Sequence, residues 1–153
     1  MSDTELTLRV NGQTHQLHIS PERTLLDVLR EEIGLVGARE GCGVGMCGAC
    51  TVLINNQPIS SCLMLAVQAG ESEITTVEGL ASSAGLHPVQ QAFIDYAGFQ
   101  CAYCTPGFIL STVALLRDHP QPDNETIQAY LAGNLCRCGS YENILAAVKA
   151  CSS

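Results

Sequence analysis

Nine cysteines stand at positions 42, 47, 50, 62, 101, 104, 136, 138 and 151, and their grouping restricts this chain more than any other feature. One quartet occupies residues 42–62, a second occupies 101–138, and Cys151 stands apart. The first ten residues, MSDTELTLRV, contain no basic segment, apolar run or twin arginine, so no export signal is expected. In a reducing compartment such thiols are better metal ligands than disulfide partners, and an odd number leaves one without a mate. With 153 residues there is room for one medium domain or two small ones, and small domains gain much from such cross-links.

Charge and hydropathy narrow the function classes. A formal net charge of -8 repels phosphate backbones, so nucleic acid is not an expected partner. The longest apolar stretch, residues 108–116, is interrupted by Ser111 and Thr112 and is too short to span a bilayer, so no direct membrane insertion is expected. The expected location is cytoplasmic, or periplasmic if a partner with its own signal exports the folded chain.

The chain reads as two halves, residues 1–78 and 79–153. In the first, Leu6, Leu8 and Val10 alternate with polar residues, Asn11-Gly12 predicts a tight turn, and Leu17 and Ile19 resume the alternation. Thr24 is a candidate cap for a helix carrying Leu25, Leu26, Leu29 and Ile33, with Gly34 as its stop. A second hairpin is expected from residues 51–54 and 58–60 around Asn55-Asn56, and a last strand from 74–77. In the second half, Pro88 and Pro106 mark first helical turns, and Asp123 and Ser140 are candidate caps for two more helices. The apolar spacing there predicts a four-helix bundle, with residues 79–85 as the linker.

The front quartet is Cys42-x4-Cys47-x2-Cys50, then Cys62 after eleven residues, and its first three members have the spacing of plant-type 2Fe-2S ferredoxins. Thiolates that must converge on a small cluster need a sharply bent loop of low bulk, which Gly41, Gly43, Gly45 and Gly48 supply. Main-chain amides freed by such a loop can point at the sulfurs. The same glycines spell G-x-G-x-x-G, but no convincing strand precedes them and no amphipathic helix follows, so a dinucleotide site is rejected.

The rear quartet is Cys101-x2-Cys104 and Cys136-x-Cys138, each pair just ahead of an expected helix. Helix N-termini favour a net negative group such as a thiolate-ligated cluster. Spacing alone fits a four-cysteine zinc site nearly as well at this quartet. His15, His18, His87 and His119 are scattered and read as surface or packing residues. Arg137 either tunes the rear centre or is plain surface, Phe99, Tyr103 and Tyr141 read as packing near it, and Cys151 reads as a non-ligand. Glu40, on the front loop, is a candidate for steering a basic acceptor.

Three segments in order, GCGVGMCGACTV at 41–52, QCAYCTPG at 100–107 and NLCRCGSY at 134–141, resemble the iron-sulfur subunit of the molybdenum hydroxylases, the xanthine oxidase family. The ending C-R-C-G-S-Y is most similar to the small subunits of isoquinoline, nicotinate and aldehyde dehydrogenases. The resemblance implies an α+β chain: a β-grasp ferredoxin-like domain, then a four-helix bundle, each with a 2Fe-2S cluster. It implies a large partner subunit with molybdopterin in its cytosine dinucleotide form, and Gln100 and Cys138 lying beside that pterin. The partner would hydroxylate an aldehyde or N-heteroaromatic with oxygen from water, and electrons would leave through this chain to a flavin subunit or a c-type cytochrome. Ala102 departs from the family's glycine, a change that costs little unless the backbone there needs a positive φ. A free-standing ferredoxin and a zinc-stabilised interaction module are the competing readings.

Overall fold

The computed structural model describes residues 2–152. Strands β1 (Thr4–Val10) and β2 (Gln13–Ile19) pair antiparallel, with Leu6 opposite Leu17 and Leu8 opposite His15. Asn11 and Gly12 join them with φ of 53° and 75°, the left-handed pair that matches the twist of the flanking strands. The second hairpin, β3 (Thr51–Ile54) and β4 (Gln57–Ser60), turns the same way through Asn55 and Asn56 at φ 49° and 67°. A short β5 (Glu73–Thr75) runs parallel to β1 and antiparallel to β3, giving the order β2-β1-β5-β3-β4.

Helix α1 (Leu25–Asp27) starts where Thr24 Oγ1 accepts the Asp27 N–H at 3.1 Å, then widens into a π-helical turn over Val28–Glu32. Leu25, Leu26, Val28 and Leu29 are all buried against the sheet, with Leu8, Val52 and Ile74 beside them. Five strands gripping one helix are a β-grasp arrangement.

The expected last strand stops at Thr75 rather than at residue 77. The Asn11 side chain takes over there: its Oδ1 accepts the Thr76 N–H and its Nδ2 donates to Thr76 Oγ1, each at 2.9 Å. The chain then enters a 3-10 turn, Val77–Leu80, in which Gly79 lies so close to Asn11 that a Cβ would collide with it. The Gln90 amide donates to the Val77 carbonyl at 2.9 Å. The chain leading into the expected linker is therefore a packed joint, because polar side chains from both sides tie down the main chain of Thr76 and Val77.

Four helices follow: α2 (Pro88–Asp95), α3 (Thr105–Asp118), α4 (Asn124–Leu131) and α5 (Tyr141–Cys151). Proline opens α2 and α3 as expected, His87 Nδ1 accepts the Val89 N–H to cap α2, and Asp123 caps α4 by accepting the Thr126 N–H at 2.8 Å. Ser140 precedes α5 but makes no side-chain cap. Phe93, Phe108, Leu115, Ile127 and Val148 form the bundle core. Helix α3 is the keystone, because Leu110 and Ala114 also bury Leu53 from the far face of β3. That explains why all of Thr51–Ile54 is buried instead of alternating. No helix among the described residues is long and apolar enough to cross a membrane.

Candidate metal centres

The front thiols are gathered by one loop and one hairpin. Cys42, Cys47 and Cys50 lie on the loop between α1 and β3, and Cys62 leaves β4. Because Thr51 pairs with Ser60, the residues on either side of the hairpin mouth are brought opposite each other, and the Ser61 N–H donates to the Cys50 carbonyl at 3.4 Å. The thiols interact in couples, Cys42 with Cys47 and Cys50 with Cys62. The Val44 and Met46 amides donate to Cys42 Sγ at 3.5 and 3.2 Å, and these donors lower its pKa to about 7 by favouring the thiolate. Burial pushes Cys62 the other way, to about 11, helped by the Cys50 thiol. Gly41 is needed for room, since a Cβ there would sit 2.7 Å from Cys47 Sγ.

The rear thiols come from two loops and pair across them. Cys101 and Cys104 lie between α2 and α3, with Cys104 at the cap position of α3; Cys136 and Cys138 lie between α4 and α5. Cys101 interacts with Cys138, and Cys104 with Cys136. Burial pushes Cys104 up to about 12, with the Cys136 thiol adding to it. Burial is the largest single influence on Cys136 and opposes its ionisation, but the Ser140 N–H, 3.4 Å from Cys136 Sγ, acts together with the Ser140 side chain, the Cys104 thiol and the Cys138 main chain, and the net shift is downward. The Tyr103 amide lowers Cys101. The Ser140 side chain makes no cap for α5, and it is the Ser140 main-chain N–H that serves the thiol.

Gln100 and Cys138 are brought together, the Gln100 Nε2 donating to the Cys138 carbonyl at 3.1 Å. Tyr141 accepts the Cys136 N–H at 2.8 Å and Tyr103 donates to the Glu40 carbonyl at 2.7 Å. Both tyrosines are 47% exposed, so they rim the centres instead of filling the core. Cys151 packs at the end of α5, its thiol 3.8 Å from the Pro88 carbonyl, outside both quartets. His18 meets Glu5, His119 meets the Tyr130 ring edge-to-face and His87 caps a helix, so each of these three has a local structural role.

Ala102, the first of the two residues between Cys101 and Cys104, has φ of +60° and so occupies the left-handed region in which a Cβ is strained. Its departure from glycine therefore carries a cost. The contacts between the two quartets were not legible from spacing. The Leu135 N–H donates to the Cys47 carbonyl at 2.9 Å, and the Asn134 amide donates to the Gly48 carbonyl at 3.2 Å. A cavity of about 400 Å³ lies between the quartets, lined by Gly41, Cys47, Cys101, Cys104, Cys136 and Arg137 among others.

The donor set fits binuclear clusters. Such a cluster takes two thiolates on each of two irons, and each quartet presents two couples.

Comparison with known proteins finds two 2Fe-2S binding domains in succession. Residues 8–76 match the 2Fe-2S iron-sulfur cluster binding domain, and residues 76–149 match a second [2Fe-2S] binding domain. The aldehyde oxidoreductase iron-sulfur-binding subunit PaoA of Escherichia coli K12 is 48% identical, over 94% of this chain and 69% of that subunit. The nicotinate dehydrogenase small FeS subunit of Eubacterium barkeri is 46% identical, over 97% of this chain and 95% of that one. Among solved structures, a chain of quinoline 2-oxidoreductase from Pseudomonas putida 86 superposes with a TM-score of 0.95 at 37% identity, covering 99% of this chain and 94% of its own.

Proposed function

The chain belongs to the iron-sulfur small subunits of the molybdenum hydroxylases, the xanthine oxidase family, and from that we propose that it carries electrons from a molybdenum centre in a large partner subunit to an external acceptor. When bound, a 2Fe-2S cluster takes up and gives off one electron at a time, so two in series can carry the two electrons of a substrate oxidation. Cys42, Cys47, Cys50 and Cys62 hold the front one; Cys101, Cys104, Cys136 and Cys138 hold the rear one. The observation that carries this reading is the gathering of eight thiols into two groups of four, with members of each group interacting across the loops that bear them.

The chain's own residues then have distinct tasks. The Val44 and Met46 amides stabilise negative charge on Cys42, and the Ser140 amide does the same for Cys136. The Leu135 N–H bonded to the Cys47 carbonyl joins the main chain of a front ligand to that beside a rear one, which supports exchange between the centres. Gln100 and Cys138 face the pterin of the partner, a molybdopterin in its cytosine dinucleotide form. The partner oxidises an aldehyde or an N-heteroaromatic with oxygen taken from water, in line with the names of the relatives. Val44 and Met46, 62% and 70% exposed beside Cys42, form an apolar rim where a flavin subunit or a c-type cytochrome docks. The halves 1–78 and 79–153 each carry one centre.

Iron and acid-labile sulfide per chain, with EPR of the dithionite-reduced protein, test the reading. Iron and sulfide for two clusters with two distinguishable S = 1/2 signals are expected; zinc without labile sulfide, or a single signal, would overturn it. In the complex, Cys47→Ser is expected to stop acceptor reduction and to spare single-turnover reduction of the rear centre.

A further inference from the structure

Arg39 touches the middle of both C-x2-C segments. Its main-chain N–H donates to the Ala49 carbonyl at 3.0 Å, inside Cys47-Gly48-Ala49-Cys50. Its guanidinium donates to the Ala102 carbonyl at 2.6 Å, inside Cys101-Ala102-Tyr103-Cys104. The guanidinium carbon also lies 5.3 Å from the centre of the Tyr103 ring, a cation-π distance. Tyr103 closes the circuit, since its hydroxyl donates back to the Glu40 carbonyl at 2.7 Å, next to Arg39 in sequence. The left-handed backbone of Ala102 orients the carbonyl that accepts from Arg39.

Charge separates this arrangement from ordinary packing. The chain has 7 Lys and Arg against 15 Asp and Glu, yet among the described residues the Arg39 guanidinium takes part in no ion pair with a carboxylate. Its hydrogen bond goes to a neutral carbonyl beside thiols, so its positive charge is left to act on whatever anionic group those thiols hold.

We propose that Arg39, clasped by Tyr103, is a positioning residue for electron exchange between the two centres: it fixes the separation of the two loops and favours the reduced, more negative state of the rear centre. The proposal rests on the two-cluster reading above. In the exchange the rear centre loses one electron and the front centre gains it, with no proton or further reactant needed.

The test uses the full chain with both clusters. Iron, labile sulfide and two EPR signals in the unaltered protein must come first; their absence would refute the two-cluster reading irrespective of Arg39. Arg39→Gln at full iron content is expected to shift the rear midpoint potential to more negative values and to change the magnetic splitting between the two reduced centres. Arg39→Lys, which keeps the charge, is expected to restore most of the potential but not the splitting. A purely structural role would alter melting temperature or iron content and leave both readouts in place at full occupancy, and that result would overturn the proposal. If Arg39→Gln fails to load iron, Tyr103→Phe decides the matter, because it removes only the hydroxyl: an altered splitting supports the clasp, and an unaltered one overturns it.

Discussion

The front quartet is built locally and the rear quartet is built by docking. In front, Cys42 couples with Cys47 within one loop, and a four-residue hairpin register sets Cys50 against Cys62. In the rear, each couple takes one thiol from the α2–α3 loop and one from the α4–α5 loop, so neither couple exists until the bundle has formed. Burial does not follow that division, because each quartet includes an exposed thiol lowered by main-chain amides, Cys42 or Cys101, and a less exposed one that burial pushes up, Cys62 to about 11 or Cys104 to about 12. A centre made within a loop can form early. One made between helices depends on the core behind it.

The largest expected effect tests that dependence. Cys136→Ser should abolish the rear EPR signal, leave the front signal in place, and loosen the α4–α5 end of the bundle in hydrogen exchange. Cys42→Ser should remove the front signal alone, with the bundle unchanged. Equal disturbance of both halves by Cys42→Ser would break the comparison.

Next is the joint between the halves. A Cβ at Gly107 of α3 would collide with the main-chain carbonyl of Gly48, which is in turn held by Asn134. Gly107→Ala should cost about 1–3 kcal/mol through forced overpacking, read from denaturant midpoints. No loss of stability would mean that the halves separate freely.

A smaller change should act in the opposite direction. Ala102→Gly relieves a left-handed alanine and should raise stability by about 1 kcal/mol, seen as a higher melting temperature. A lower melting temperature would show that the methyl makes a contact worth more than the strain.

The smallest effect concerns acid. The Thr126 amide holds the Asp123 carboxyl below its ordinary value, so its contribution to α4 is full above the unfolded value of about 3.9 and fades as pH falls through the lower folded value. Amide exchange along α4 should therefore quicken in acid before exchange in β1 and β2 does, and Asp123→Asn should flatten that dependence. Simultaneous loosening of both regions would count against it.

Much of the first half was legible because its signals are short-range. Asn11-Gly12 and Asn55-Asn56 adopt the positive φ that tight hairpins need, and Thr24 caps its helix. Where expectation and structure part, a residue distant in sequence intervenes. Asn11 ends β5 at Thr75 and packs against Gly79 at the start of the stretch that reads as a linker. Tyr103 and Tyr141 read as packing residues but rim the centres, the Tyr103 hydroxyl serving the Glu40 carbonyl across loops and the Tyr141 hydroxyl the Cys136 N–H beside its own helix.

The sequence by itself determined the two quartets, the order of a strand-rich half before a helical one, and three family motifs, because thiol spacing, turn dipeptides and caps are properties of neighbouring residues. Only the tertiary structure decided which thiol faces which, that Ala102 is strained, and that Arg39 reaches both C-x2-C segments. Those facts depend on how α3 packs on β3, and a contact between residues some 60 positions apart leaves no trace in local pattern.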